Sequence, residues 1–170
     1  MSRAAFREET IPPGPPAPLE ALIEDVEGLE QHERVAQLIA WADQFTEVPP
    51  EVAQRPFPDA NYAPRCESGV WVFPVDSPDG TLDFYFAVAS PYANAARAWA
   101  VILDRTCSRQ PLEQVARVPV ETIFRLFGPE LSMGKGQGLA GMLELVTHAA
   151  RTRLEARQVA QVGAGPSPCW

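Results

Sequence analysis

The apolar positions of this 170-residue chain change period along its length. Leu19, Leu22, Ile23 and Val26 recur at helical spacing, and Val35, Leu38, Ile39 and Phe45 do so again after Gly28. Two amphipathic helices are predicted. The second is expected to end near residues 48–51 (VPPE), because the residue before a proline avoids the helical region. The period then drops to two. Val70 and Val72 alternate with Trp71 and Phe73, the run Asp76-Ser77-Pro78-Asp79-Gly80 gives a turn signal, and Leu82, Phe84, Phe86 and Val88 share one face. This is the pattern of a β-hairpin.

Helical spacing then returns. Ser90 suits an N-cap and Pro91 a first helical position, so a buried, Ala-rich helix is predicted over residues 93–103. Short helices are predicted at residues 111–113 and 120–127. The last helix, from Gly138 to about Arg157, carries Leu139, Met142, Leu143, Val146, Ala149, Ala150 and Leu154 on its apolar stripe. Gly134, Gly136 and Gly138 read as a flexible turn feeding it. Helices, hairpin, helices is the order of an α+β fold, a small antiparallel sheet built on a central hairpin and packed against helices. Five prolines between Pro12 and Pro18 block helix and ladder hydrogen bonds alike, so residues 1–18 are expected to be a disordered tail and residues 159–170 a flexible one. Residues 19–158 remain as one body.

Charge narrows the function classes. Lys and Arg number 14 against 22 Asp and Glu, a net charge of −8, and the pI is near 4.8. That removes the basic footprint of a nucleic-acid binder. No apolar run reaches membrane-spanning length, and the opening MSRAAFREETIPPG has no signal-peptide core, so a cytoplasmic location is expected. The charge is also polarised. Residues 1–85 carry −11 and residues 86–170 carry +3, a weak pointer to protein docking.

Candidate chemistry centres on cysteine. Cys66, Cys107 and Cys169 cannot all pair with one another and form no CxxC unit, which argues against a disulfide scaffold and a structural zinc site. Cys66 follows a proline-rich loop and precedes a strand, so its sulfur is expected at a loop tip or strand entrance. A lone cysteine is more often inert packing than a nucleophile, and the neighbours do not settle the matter: Arg65 favours the thiolate and Glu67 opposes it. Cys107 ends an Ala-rich helix and reads as packing, and Cys169 as an adventitious tail thiol. The run Gly134-Lys135-Gly136-Gln137-Gly138 fails the phosphate-loop pattern in both spacing and the Ser/Thr position. His32 and His148 read as surface residues, and Trp71, Tyr85 and Trp99 as core or edge aromatics.

The order of these features resembles one known family. The two acidic helices ending in VPPE, the loop YAPRCESGVW (residues 62–71), the hairpin, the Ala-rich helix and LSMGKGQGLAGM (residues 131–142) together resemble SufE-like proteins, the cysteine-desulfurase partners of iron–sulfur cluster assembly. Cys66-Glu67-Ser68-Gly69-Val70-Trp71 is the most specific stretch. The resemblance implies that Cys66 accepts sulfane sulfur as a persulfide; Arg65, Glu67, Ser68 and Lys135 stand as candidate supporting residues around it. It implies a sulfur carrier and desulfurase activator rather than a classical enzyme, with no cofactor of its own, since pyridoxal phosphate belongs to the desulfurase. The implied partners are a cysteine desulfurase and a downstream iron–sulfur scaffold protein. The family usually has Gly before the cysteine, Gln on either side of the serine, and Ser-Arg-Ser before the last helix. Here those positions hold Arg65, Glu67, Gly69 and Gly134-Lys135-Gly136, and Ala89-Ser90-Pro91 replaces an Asp-Ser-Asp.

Other functions remain open on the sequence, the plainest being a helical interaction module whose cysteine is incidental. An iron–sulfur scaffold of the U type shares the resembled fold and needs converging thiolates. A redox-active thiol protein needs a resolving cysteine, for which Cys169 is the candidate.

Overall fold

A computed structural model describes residues 11–129 and 131–163. Helix α1 (Ala17–Glu27) starts with a proline in its first turn and stops at Gly28. Helix α2 (Gln31–Asp43) opens with the Glu30 backbone N–H donating to the Glu33 carboxylate at 2.9 Å. Strands β1 (Val70–Asp76) and β2 (Leu82–Val88) form an antiparallel hairpin with Val70 opposite Val88 and Val72 opposite Phe86. Helices α3 (Asn94–Cys107), α4 (Leu112–Val115), α5 (Glu121–Phe127) and α6 (Met133–Gly163) follow. The fold is α+β, a two-stranded antiparallel sheet among helices.

One face of the hairpin makes the main core. Val70, Val72, Leu82, Phe84, Phe86 and Val88 pack with α1, α3 and α6, and Trp99, Ile102, Met142 and Val146 are fully enclosed there. The other face carries a smaller cluster of Val48, Phe73 and Ala87 under Trp71, Tyr85 and Phe57. The alternation of the hairpin, the short helices and the apolar stripe of α6 follow the sequence pattern.

Four expectations are corrected. Helix α2 ends at Asp43 rather than near residues 48–51, because the chain crosses to the hairpin, where the Val48 N–H donates to Phe86 O at 2.8 Å. Its inward side is the buried Trp41 and Ala42 with the half-buried Leu38, whereas Val35 and Ile39 are exposed. Ser90 caps no helix: its N–H donates to Ser68 O at 3.2 Å and extends the ladder beyond β2, and Ala93 stands at the cap of α3. The glycines at 134, 136 and 138 lie within α6 rather than in a turn before it. Ser132 starts that helix, its side-chain oxygen accepting the Lys135 N–H at 3.3 Å, the bond an N-cap serine is suited to make.

The chain ends also differ from expectation. Helix α1 begins inside the segment expected as a tail, Pro16 is buried, and the Gln114 side chain donates to Pro12 O at 3.1 Å. Helix α6 runs to Gly163, past the expected boundary at 158. Residues 1–10 and 164–170, with Cys169, lie outside the described residues.

Candidate functional site

The loop ahead of β1 is fastened to that strand before it reaches Cys66. The Asn61 amide donates to Val72 O at 2.8 Å, the Ala63 N–H donates to Val70 O at 2.8 Å, and the Tyr62 ring stands edge-on to Trp71 with centroids 5.3 Å apart. The chain then turns through Pro64 and Arg65, whose φ of 62° lies in the left-handed region. Gly69, at φ 68°, makes the turn back into β1; glycine holds that conformation without the clash an L side chain meets. Between the two turns sits Cys66. Its carbonyl accepts from the Tyr62 hydroxyl at 3.0 Å and from the Gly69 N–H at 3.4 Å.

Helix α6 forms the floor. A Cβ placed on Gly138 would lie 3.5 Å from Cys66 Sγ and 3.4 Å from its Cα, and one placed on Gly141 would lie 2.0 Å from Pro64 O. The two glycines, one helical turn apart, form a seat for the loop. Of the two placements expected, an exposed loop tip or a strand entrance, the exposed tip is not found: Cys66, just ahead of β1, is only 7% exposed.

The sulfur borders a cleft of ≈ 370 Å³ whose walls include Glu67, Ser68, Ser90, Asn94, Lys135 and Gly138. Three of the four expected supporting residues thus meet Cys66 in one place. Arg65 does not line this cleft. Its guanidinium pairs with Glu144 at 2.8 Å, over a neighbouring groove lined by Val118, Val120, Ala140 and Leu143.

Burial pushes the Cys66 thiol above its ordinary value, a backbone hydrogen bond at Ser68 pulls it down, and the Glu67 carboxylate adds to the rise. The desolvation of a charged sulfur therefore dominates. In this closed arrangement the sulfur is held as a thiol, and it gains thiolate character by coming into water.

Cys107 has a different environment. It is fully buried in the core at the end of α3, and burial pushes its thiol up to about 12, which fits packing. Among the described residues no three His, Cys, Asp or Glu side chains group as metal ligands, and Cys169, the third thiol of the scaffold reading, lies outside them. His32 and His148 are exposed, as expected. Trp99 is enclosed, its indole N–H donating to Leu139 O at 3.1 Å. Among the described residues no helix is long and apolar enough to cross a membrane.

The sequence reading missed Tyr62, Glu144 and Gly141 as parts of the site. Gly138 and Gly141 carried a usable signal, since glycine three residues apart inside a helical stripe marks close approach of another backbone. The ion pair between residues 65 and 144 carries no local sequence signal.

Comparison with known proteins agrees with the fold. A solution structure of a hypothetical protein from Thermus thermophilus superposes with a TM-score of 0.65 over 83% of this chain and 98% of that one, at 22% sequence identity, a likeness of fold. A search of the curated proteins gives no match. The family model for SufE, described as an Fe-S metabolism associated domain, matches residues 20–150. With that match running from α1 into α6 and enclosing the seated Cys66, the chain belongs to the SufE family of Fe-S metabolism associated domains.

Proposed function

We propose that this chain is a sulfur acceptor: Cys66 takes sulfane sulfur from the persulfide of a cysteine desulfurase, stimulates that enzyme, and passes the sulfur to an iron–sulfur scaffold protein. The observation that carries this reading is that Cys66 lines a cleft on a loop pinned to β1, while Cys107 is enclosed in the core.

The chemistry is a thiol–disulfide exchange. The Cys66 thiolate attacks the outer sulfur of the donor's Cys–S–SH, a new S–S bond forms on Cys66, and the donor's S–S bond breaks with both electrons leaving on the donor thiolate. No external oxidant or reductant takes part. Removing the persulfide frees the donor cysteine for its next turnover, which is how acceptance stimulates the desulfurase. Lys135 on the cleft wall stabilises the departing thiolate. Ser68 and Glu67 shape the cleft mouth. Withdrawal of the loaded sulfur into the cleft shields it from reductants and from oxidation. The chain supplies no cofactor; pyridoxal phosphate belongs to the desulfurase.

Mass spectrometry after incubation with a desulfurase and cysteine tests the reading. One added sulfur is expected on Cys66 of the wild type and none on Cys66→Ser, with desulfurase turnover raised only by the wild type. A sulfur adduct persisting on the Ser variant would sink it.

A further inference from the structure

A sulfur that exchanges with another protein's cysteine has to leave the seat in which Cys66 lies. Two contacts hold the loop on its bed, α6: the backbone packing on Gly138 and Gly141 and the Arg65–Glu144 ion pair at 2.8 Å. The Tyr62 hydroxyl on Cys66 O braces the loop from within. The backbone packing lies inside the interface, whereas the ion pair is a side-chain bridge from the loop to α6 with both ends about half exposed, Arg65 at 51% and Glu144 at 54%.

Arg65 holds this position against its own backbone preference. Its φ of 62° is one that glycine adopts without penalty and an L side chain does not. The arginine side chain gains in return the Glu144 carboxylate and a stem laid beside Val118, Val120, Ala140 and Leu143. Long cationic side chains bury their stems in this way while the charged head stays in water. Because residue 65 immediately precedes the thiol, the backbone that this side chain anchors is the backbone that presents Cys66.

We propose that Arg65 and Glu144 form a latch, a pair of positioning residues that keep Cys66 closed against α6 until the loop is released for sulfur transfer. The purpose of the latch rests on the sulfur-acceptor reading, but the opening is a property of the free chain and is measured without any partner.

The test is the rate of thiol labelling by an aromatic disulfide reagent in a Cys169→Ser background, in which Cys66→Ser identifies the Cys66 signal. Glu144→Gln and Arg65→Gln should each label about two- to fivefold faster than the parent, the range expected for losing an exposed ion pair. Arg65→Lys should stay nearer the parent, and the reversed pair Arg65→Glu/Glu144→Arg should return to within about twofold of it. A thermal melt of each variant separates local opening from global destabilisation. Parent-like rates in both single variants, or a reversed pair as fast as the singles, overturn the latch. Latch behaviour without sulfur uptake overturns the acceptor reading alone, and sulfur uptake with unchanged labelling rates overturns the latch alone.

Discussion

The carbonyl oxygen of Pro64 stands where a side chain on Gly141 would begin: a Cβ there would lie 2.0 Å from it. The loop that carries Cys66 and the long helix α6 therefore meet backbone to backbone, and the geometry of the thiol depends on a helix face with no side chains. Glycine inside a helix costs about 1 kcal/mol relative to alanine. Here the close packing of Pro64 and Cys66 offsets that cost.

The two glycines of the seat should respond differently to a methyl group. Gly141→Ala forces the loop off α6 and should destabilise the protein by about 1–3 kcal/mol, as overpacking does. Gly138→Ala meets Cys66 at 3.4–3.5 Å, close to ordinary contact, and its gain in helix propensity offsets the shift, so it should stay within about 1 kcal/mol of the parent. Urea unfolding of the two variants checks the contrast. Equal effects would mean that the loop yields at 141 as easily as at 138.

Helix α6 is itself held by Trp99, whose indole N–H reaches Leu139 O beside the seat. Trp99→Phe removes that bond and part of a fully enclosed ring, and should cost about 1–3 kcal/mol. Trp71→Phe, on the half-exposed face of the hairpin, should cost less. Denaturant midpoints give the order, and a larger loss at 71 would contradict the assignment of the main core.

How much of this was legible in the sequence depends on the range of the interaction. The hairpin was legible because Val70, Val72, Leu82, Phe84, Phe86 and Val88 obey a local period of two and their partners are set by the turn between them. Cys66 was legible as a loop residue through its proline-rich approach and the motif that follows it. The floor that shelters it was not, since that floor comes from residues 138 and 141, more than seventy positions away. The same distance hid Glu144 from Arg65. The end of α2 and the cap at Ser90 depart from the local pattern for a related reason: Val48 and Ser90 are each claimed by the edge of the hairpin, and tertiary pairing overrides a valid local signal. Ser132 is a local cap signal, masked by three nearby glycines that suit a turn equally well.

The buried state of Cys66 fixes the pH dependence of its reactivity in the free chain. With the thiol raised by burial first and by Glu67 as well, against a backbone bond at Ser68, the midpoint of the alkylation rate against pH should lie above that of the unfolded chain, which falls at about 8.5. Iodoacetamide labelling of the Cys169→Ser protein across pH 7 to 10, with and without denaturant, measures both curves. A native midpoint at or below that of the unfolded chain would show that the thiol spends its time outside the seat.

Cys107 gives the clearest linkage between pH and stability. Burial raises its thiol to about 12 in the folded chain, against about 8.5 when unfolded. Between those values the unfolded chain loses a proton that the folded chain keeps, so the unfolded state is favoured progressively as pH rises. The stability tied to this proton is fully present below pH ~8.5 and falls by up to about 1.4 kcal/mol for each further pH unit. Cys107→Ala lacks the titrating group and leaves only a small gap in the core. It should therefore be less stable than the parent at pH 7, and the difference should shrink by about 2 kcal/mol between pH 8 and pH 10. Urea unfolding of the two proteins, both in the Cys169→Ser background, supplies the comparison. Cys66 is present in both and its raised thiol acts with the same sign, so its contribution cancels in the difference. Parallel stability curves over that range would mean that water reaches the end of α3 and that the thiol at 107 ionises in place.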